Sequence, residues 1–179
     1  MKKTVLVFGL ISGAIMSLMM IATLPFIDRI GFDKGAIIGY TTMVLSFLLV
    51  FFGMRSYRDN VGGGQISFGR ALAVGLLITF VSCVCYVVTW EIIYFKLMPD
   101  FADKYSSYMV EQLKASGASQ EIVRAKIEEM RQFKAMYDNP FINAAITFLE
   151  PLPIGLILTF ISALIVRRKR KDVPETVMA

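Results

Sequence analysis

The sequence predicts an all-α integral membrane protein: a four-helix bundle with an extracytoplasmic helical hairpin between the third and fourth transmembrane helices. Of its 179 residues, 56% are apolar and only 18% are charged, whereas typical globular chains carry about a quarter charged residues. The apolar residues form four long, nearly uncharged runs, each sufficient to cross a hydrocarbon core of about 30 Å as a helix of about 20 residues. Basic residues cluster beside these runs, as is usual in membrane proteins.

Four transmembrane helices are predicted, at residues 4–27, 36–54, 71–95 and 141–166 of a single membrane domain. The first follows the basic pair Lys2 and Lys3, as the apolar run of a secretory signal would. This run is too long for a signal, however, and no small-residue cleavage site precedes Pro25. We therefore expect the first helix to be retained.

The distribution of basic residues predicts the orientation of the chain. With the N-terminus inside, the cytoplasmic segments hold ten basic and three acidic residues, while the outer segments hold nine of each. Both termini are therefore expected to face the cytoplasm of a bacterial cytoplasmic (inner) membrane. The tail, residues 167–179, opens with five basic residues, which favour the anionic headgroups of the lipid bilayer as their partner. A protein-binding tail is the alternative, and no nucleic-acid partner is expected.

The connection between the third and fourth helices, residues 96–140, is the only segment large enough for structure outside the bilayer. Apolar residues recur at helical spacing over residues 100–115 and 120–138, which predicts two amphipathic helices. Gly117 suits the end of the first helix, and Ser119 suits the cap of the second. Three roles stay open for this hairpin: a cap on its own bundle, a pair of helices on the membrane surface, or a contact with another membrane protein.

Small residues recur every four positions early in the chain. They are Gly9, Gly13 and Ser17 in the first helix, and Gly35 and Gly39 at the start of the second. This spacing puts them on one helix face, where they let two backbones approach closely. We interpret both sets as helix-packing residues. The pattern fits packing within the chain and equally a homo-oligomer contact.

Glu150 is the residue that the sequence marks most clearly for function. It lies nine residues into the last span, about 14 Å from its end at 1.5 Å per residue, where a carboxylate is costly unless it is protonated, paired or hydrated. Asn143 and Thr147 share its helix face, and Pro151 and Pro153 follow it and predict a break in the helix. The arrangement predicts an intramembrane proton or ion site. A structurally hydrogen-bonded acid is the alternative.

Glu91 is a second candidate for the same site. It lies about five residues, or roughly 7 Å, from the outer end of the third helix, so its carboxylate can reach the interface. Trp90 and Tyr94 beside it are typical of an interfacial aromatic belt. A direct pairing of Glu91 with Glu150 stays open.

The sequence offers little for catalysis. It has no histidine, the usual proton carrier at neutral pH. Cys83 and Cys85 lie inside an apolar run, at a spacing that fits neither a redox motif nor a zinc pair. No nucleophile with a base, metal cluster or cofactor motif can be assembled. We therefore expect no enzyme activity, no catalytic residue, no cofactor and no bound metal.

The segment after the second span resembles a known family. Residues 53–60 read GMRSYRDN and residues 64–72 read GQISFGRAL, and Tyr86, Trp90 and Glu91 follow. This pattern resembles the small bacterial membrane proteins catalogued as domain of unknown function 4199, over nearly the whole chain. The resemblance implies an inner-membrane protein of four helices and no particular reaction.

The resemblance also draws attention to the cytoplasmic end of the second helix. Arg55, Tyr57, Arg58 and Asp59 lie there, either as helix anchors or as a site for lipid headgroups or a partner. The function favoured by the sequence is a non-enzymatic accessory or structural membrane subunit. The alternative is a small transporter or channel component that uses an intramembrane carboxylate as a proton or cation site.

Overall fold

The computed structural model describes residues 1–168, so the predicted basic residues 169–171 and the rest of the tail lie outside the described residues. Over the described part the fold is all-α, which confirms the predicted fold class. Four segments in it are long and apolar enough to cross a membrane, which makes the chain a multi-pass membrane protein. They are Lys2–Ile30, Phe32–Asn60, Phe68–Leu97 and Pro140–Val166.

The helices extend beyond the predicted spans. They are α1 (Lys2–Thr23), α2 (Ile27–Ile30), α3 (Phe32–Asn60), α4 (Phe68–Ile92), α5 (Phe101–Ala115), α6 (Gln120–Tyr137), α7 (Pro140–Leu149) and α8 (Leu152–Val166). A 3-10 turn joins α1 to α2, and a π-helical turn, Ile93–Leu97, extends α4. Hydropathy marks only the part of a helix that suits hydrocarbon, whereas backbone hydrogen bonding continues into the polar ends.

The four spans pack as a bundle around large apolar side chains. α1 and α8 each pack against both α3 and α4. α3 and α4 therefore form the centre of the bundle. Phe47 and Val50 of α3 and Val74 and Ile78 of α4 are fully buried in the core. Because lipid tails are as apolar as these side chains, close packing and interhelical hydrogen bonds hold such a bundle together.

Buried hydroxyl groups supply hydrogen bonds between the spans. Ser12 of α1 donates to the carbonyl oxygen of Ser46 in α3 at 3.0 Å. The hydroxyl oxygens of Thr79 in α4 and Thr159 in α8 lie 2.9 Å apart. Each bond joins helices that are far apart in sequence, and so contributes to a defined helix arrangement.

α1 approaches α4 along the stripe formed by Gly9, Gly13 and Ser17. A Cβ atom added at Gly13 would lie 2.5 Å from the Cβ of Cys85, and one added at Gly9 would lie 2.7 Å from the nearest side-chain carbon of α4. One turn further along, the hydroxyl oxygens of Ser17 and Thr89 are 2.8 Å apart. The stripe therefore packs within the chain, where a larger residue has no room.

The last span consists of two helices. α7 ends at Leu149 and α8 begins at Leu152, because Pro151 and Pro153 lack the N–H groups that would otherwise bond the carbonyls of Thr147 and Leu149. The break predicted from these prolines is present. α8 packs against α3 and α4, whereas α7 packs against α4 and α6 and has no extensive contact with α3. The N-terminal half of α3 is thus open on its α7 side.

α5 and α6 form a hairpin that covers one end of the bundle, which we call the hairpin end. Gly117 turns the chain with a φ of 78°, a conformation that glycine adopts without strain. Ser119 accepts a hydrogen bond from the N–H of Ile122 at 3.4 Å and caps α6, as predicted. An ion pair between Lys134 and Asp103, at 2.6 Å, joins the two helices.

The hairpin is also attached to the spans beneath it. The ring of Phe101 in α5 packs edge-to-face on Trp90 of α4, with 5.0 Å between ring centroids. Tyr108 of α5 donates a hydrogen bond to the carboxylate of Asp33 in α3 at 2.6 Å. The hairpin therefore contacts both central helices.

The opposite end of the bundle, the tail end, holds the α3–α4 loop and the end of α8. Ile66 and Arg168 exchange two backbone hydrogen bonds, of 3.1 Å and 2.9 Å. Arg58 donates to the carbonyl oxygen of Val166, the last residue of α8, at 3.3 Å. These bonds fasten the loop to the end of the last span.

Candidate functional site

A cavity of about 390 Å³ lies at the hairpin end of the bundle. α1, α3, α4 and α7 form its walls, and α5 and α6 form its roof. Its volume is within the range of small-molecule sites, about 300–1,000 Å³. Most of the lining side chains are aromatic, aliphatic or methionine; they include Met16, Met20, Phe32, Tyr40, Met43, Tyr86, Trp90, Phe101, Tyr105 and Tyr137.

Glu150 lies at the end of α7 and lines this cavity. Its side chain is exposed to the cavity, and the hydroxyl of Tyr86 donates to its Oε2 at 3.0 Å. Lys134 is the only basic residue of the described lining, and its Nζ lies 2.6 Å from both carboxylate oxygens of Asp103. Within residues 1–168, Glu150 therefore has Tyr86 as a hydrogen-bond donor and forms no ion pair with a basic residue.

Glu150 lies at the break in the last span, between α7 and α8. Ten residues separate it from Pro140 at the start of α7, which corresponds to about 15 Å along the helix at 1.5 Å per residue, half of the roughly 30 Å of a hydrocarbon core. The carbonyls of Thr147 and Leu149 lie beside it and lack their usual helical donors. A carboxylate next to free carbonyls is suited to holding a proton or a cation.

A chain of hydrogen bonds begins at two cavity residues, Trp90 and Tyr137, and continues into the buried part of α7. The indole N–H of Trp90 donates to the hydroxyl of Tyr137 at 2.9 Å, and that hydroxyl lies 3.2 Å from the hydroxyl of Thr147. Thr147 donates its only hydroxyl proton to Oδ1 of Asn143 at 3.2 Å, so Tyr137 must be the donor to Thr147. The amide of Asn143 in turn donates to the backbone carbonyl of Tyr137 at 3.2 Å.

The structure thus separates the four residues predicted for the ion site. Asn143 and Thr147 are buried in the hydrogen-bond chain and do not line the cavity, whereas Glu150 does. Glu91 is also outside the lining, and one of its carboxylate oxygens is buried without a hydrogen-bond partner among the described residues. Glu91 and Glu150, whose pairing the sequence left open, form no hydrogen bond with each other in residues 1–168. Glu150 instead accepts a hydrogen bond from Tyr86.

Gly35 and Gly39 differ from the first glycine stripe. Both line the cavity, and a Cβ atom added at Gly39 would meet no atom within 4 Å. One added at Gly35 would meet only the flexible end of Ile27. Gly35 therefore lies against α2 and Gly39 faces the cavity, so neither glycine packs against α1, α4, α7 or α8 within the described residues. A role of this pair in a homo-oligomer contact stays a prediction.

Two groups of the hairpin have shifted pKa values at the roof of the cavity. The hydrogen bond to Asp103 raises the pKa of Lys134, so this ammonium group stays charged and paired at neutral pH. Burial raises the pKa of the Tyr137 phenol, which keeps it a neutral hydrogen-bond donor. The roof therefore adds no free charge at neutral pH.

The candidate site at the tail end is largely engaged in internal contacts. Arg58 forms two hydrogen bonds with Asp59, at 2.7 Å and 3.2 Å, in addition to its bond to α8. Nε of Arg55 lies 3.7 Å from the Asp59 carboxylate, and Tyr57 is buried in the core. Arg58 here connects α3 to α8, and this contact accounts for the position of the Arg58 and Asp59 pair.

Several residues of the cavity were not assigned to it from the sequence. Trp90 was expected in an interfacial belt, but it is 9% exposed and hydrogen-bonded inside the protein. Tyr86 was named as part of the family pattern, and Tyr137 lay within the second predicted hairpin helix without a role of its own. These three side chains share a polar phenol or indole group on an aromatic ring. Such a group usually has a hydrogen-bond partner when it is buried, which is the feature that could have pointed to them.

The family model described as Protein of unknown function (DUF4199) matches residues 7–168. The chain belongs to this family. The DUF4199 match covers the first span from residue 7 onward, the other three spans, the hairpin and every cavity residue named above, and confirms the resemblance in the sequence. No curated protein and no solved structure matches this DUF4199 protein.

Proposed function

We propose that this protein is a small, non-enzymatic transport component of the bacterial cytoplasmic membrane, in which Glu150 binds the proton or cation that is moved. The observation that carries the proposal is the carboxylate of Glu150, open to a cavity at mid-membrane depth with Tyr86 as its partner. A carboxylate in hydrocarbon is stable only when a proton, a cation or water compensates its charge. Reversible compensation of this kind is the basis of ion and proton carriers.

The orientation proposed for the membrane follows from charge. Arg55 and Arg58 lie at the tail end, the N-terminal segment begins with Lys2 and Lys3, and Arg167 and Arg168 follow the last span. Short loops rich in basic residues remain on the cytoplasmic side. The tail end would then face the cytoplasm, with both termini inside, and the hairpin end and its cavity would face the extracytoplasmic side.

Ion flux through vesicles tests the role of Glu150. The purified protein is reconstituted into lipid vesicles, and proton, Na⁺ and K⁺ fluxes are followed in turn with ion-sensitive dyes under an imposed membrane potential. We expect one of these fluxes in the natural protein and its loss in Glu150→Gln, which keeps the side-chain shape and the hydrogen bond to Tyr86 but removes the charge.

Glu91→Gln is the matched control for this experiment. It makes the same change in the same half of the membrane, outside the cavity lining, so the flux of this variant should equal that of the natural protein. Both variants should elute as the natural protein does on size-exclusion chromatography. An unchanged flux in Glu150→Gln would overturn the proposal.

An accessory subunit is the second candidate function. One observation favours it: α6 leaves Ile122, Ile127 and Met136 exposed by 53%, 48% and 43% on the hairpin. A photo-crosslinking residue at Ile127 in living cells should then capture a partner of discrete mass, while the same residue at the charged position Glu128 should not. Capture of this chain alone would indicate a homo-oligomer, and no capture at Ile127 would count against the accessory role.

A further inference from the structure

We propose that the cation bound at Glu150 is a lipophilic organic cation, a single positive charge on an apolar body, which enters from the lipid between α3 and α7. This inference rests on the proposed function, because it assigns a ligand class to the same carboxylate. Three properties of the cavity carry it: the aromatic wall, the charge balance and the position of the opening.

The aromatic wall suits an organic cation better than an inorganic one. Inorganic cations exchange their hydration shell for several oxygen ligands, whereas the lining beside Glu150 consists mainly of rings and thioethers. A quaternary or alkylated cation is weakly hydrated and is attracted to the faces of Trp and Tyr rings. Tyr86 contacts the carboxylate directly, and Tyr40, Trp90 and Tyr105 supply further rings to the same cavity.

The charge balance of the lining selects a monovalent cation. Glu150 is the only acidic residue among the described lining residues, and Lys134 is the only basic one. Lys134 is neutralised by Asp103 at 2.6 Å, which leaves one uncompensated negative charge. An anionic amphiphile would find no free positive group and would be repelled by Glu150.

The opening of the cavity faces the lipid. Tyr40 on α3 is 48% exposed, and Glu150 at the end of α7 is exposed as well. α7 has no extensive contact with α3, and Gly39 adds no side chain at this level. The hairpin closes the cavity from above through the contact of Trp90 with Phe101. A ligand that partitions into the bilayer can therefore reach Glu150 without passing the hairpin.

Trp90 makes ligand binding directly measurable. It is the only tryptophan of the sequence, and it lines the cavity, so a bound ligand changes its fluorescence. We would titrate the purified protein in lipid nanodiscs with tetraphenylphosphonium. We expect saturable quenching whose dissociation constant rises about tenfold or more in Glu150→Gln, because the ion pair with the ligand is lost. Glu91→Gln, outside the lining, should bind as the natural protein does.

Tetraphenylborate is the matched ligand control, since it has nearly the same size and shape and the opposite charge. We expect no saturable quenching by it in the natural protein. Equal binding of the two ions, or equal tetraphenylphosphonium affinity in Glu150→Gln and the natural protein, would overturn the ligand assignment. If the ligand assignment failed but Glu150→Gln still abolished ion flux in vesicles, the proposed function would stand with a smaller cation. If the flux of Glu150→Gln were also unchanged, both the ligand assignment and the proposed function would be overturned.

A substitution at Gly39 tests whether the ligand enters between α3 and α7. Gly39→Leu places a side chain in the open space between α3 and α7 and so narrows the opening of the cavity. We expect it to slow tetraphenylphosphonium association by about fivefold or more. Stopped-flow quenching of Trp90 fluorescence measures this rate. Leu45→Phe enlarges an exposed side chain elsewhere on α3 and should leave the rate unchanged. An unaltered rate in Gly39→Leu would overturn lateral entry.

Discussion

Tyr137 connects the hairpin to the last span through a single hydroxyl group. It accepts a hydrogen bond from Trp90 and donates one to Thr147, and burial keeps it in the neutral form that can do both. Removing the hydroxyl would leave the buried indole N–H of Trp90 without an acceptor. An unsatisfied buried donor costs about 1–3 kcal/mol in proteins.

We therefore expect Tyr137→Phe to destabilise the protein by about 1 kcal/mol, the lower end of that range because hydrogen bonds within membranes average less. Thermal unfolding in detergent, followed by Trp90 fluorescence, measures it. Tyr105→Phe is the control, since the hydroxyl of Tyr105 has no hydrogen-bond partner among the described residues and its loss should change little. Equal stability of the two variants would contradict the role given to Tyr137.

The pKa of Tyr137 also predicts a dependence on pH. Because burial raises it above the ordinary value of 10.0, the unfolded chain loses this proton at a lower pH than the folded protein does. Stability is then unaffected by Tyr137 below pH 10 and falls as pH rises above it. The raised pKa of Lys134 acts with the same sign. The alkaline loss of stability should be smaller in Tyr137→Phe; an identical decline would argue against this assignment.

At the scale of the helix, the contact of α1 with α4 depends on small residues. Gly9 and Gly13 bring the two backbones together, and the space at Gly13 is already filled by Cys85. Lipid provides no hydrophobic driving force for this contact, so its stability comes from close packing. A side chain in this position must push the helices apart.

Gly13→Leu is accordingly expected to lower stability by about 1–3 kcal/mol, the usual effect of overpacking. The neighbouring Ala14 is exposed and faces away from α4, so Ala14→Leu places the same leucine side chain on the lipid side and should be neutral. Folded yield and thermal unfolding in detergent compare the two. A neutral Gly13→Leu would show that α1 and α4 tolerate separation.

At the scale of the whole molecule, the hairpin end and the tail end should lie on opposite sides of the membrane, because the single span Phe68–Leu97 connects the α3–α4 loop to the hairpin. With both native cysteines replaced by alanine, a cysteine at the exposed Gln120 of the hairpin should react with a membrane-impermeant thiol reagent added to intact spheroplasts. A cysteine at the exposed Gln65 should react only after permeabilisation. The reverse pattern would invert the proposed orientation and put the cavity on the cytoplasmic side.

The local features of this fold could be predicted from the sequence because short stretches of chain encode them. The four spans follow from apolar runs, the break at Glu150 follows from Pro151 and Pro153, and the start of α6 follows from Ser119. In each case the cause lies within a few residues of its effect: the transfer of side chains to hydrocarbon, a missing backbone N–H, or a capping oxygen.

The candidate site was only partly predictable, because helical spacing defines which residues share a face and not what that face meets. Glu150 was recognised from its depth, but its partner Tyr86 lies 64 residues away along the chain, and Trp90 and Tyr137 meet across 47 residues. Gly13 and Gly39 have the same spacing pattern, yet one contacts α4 and the other faces a cavity. The sequence by itself determined the spans, the helix break and an acid within the membrane. The tertiary structure decided that this acid faces an aromatic cavity, because only the displacement of α7 from α3 creates that space.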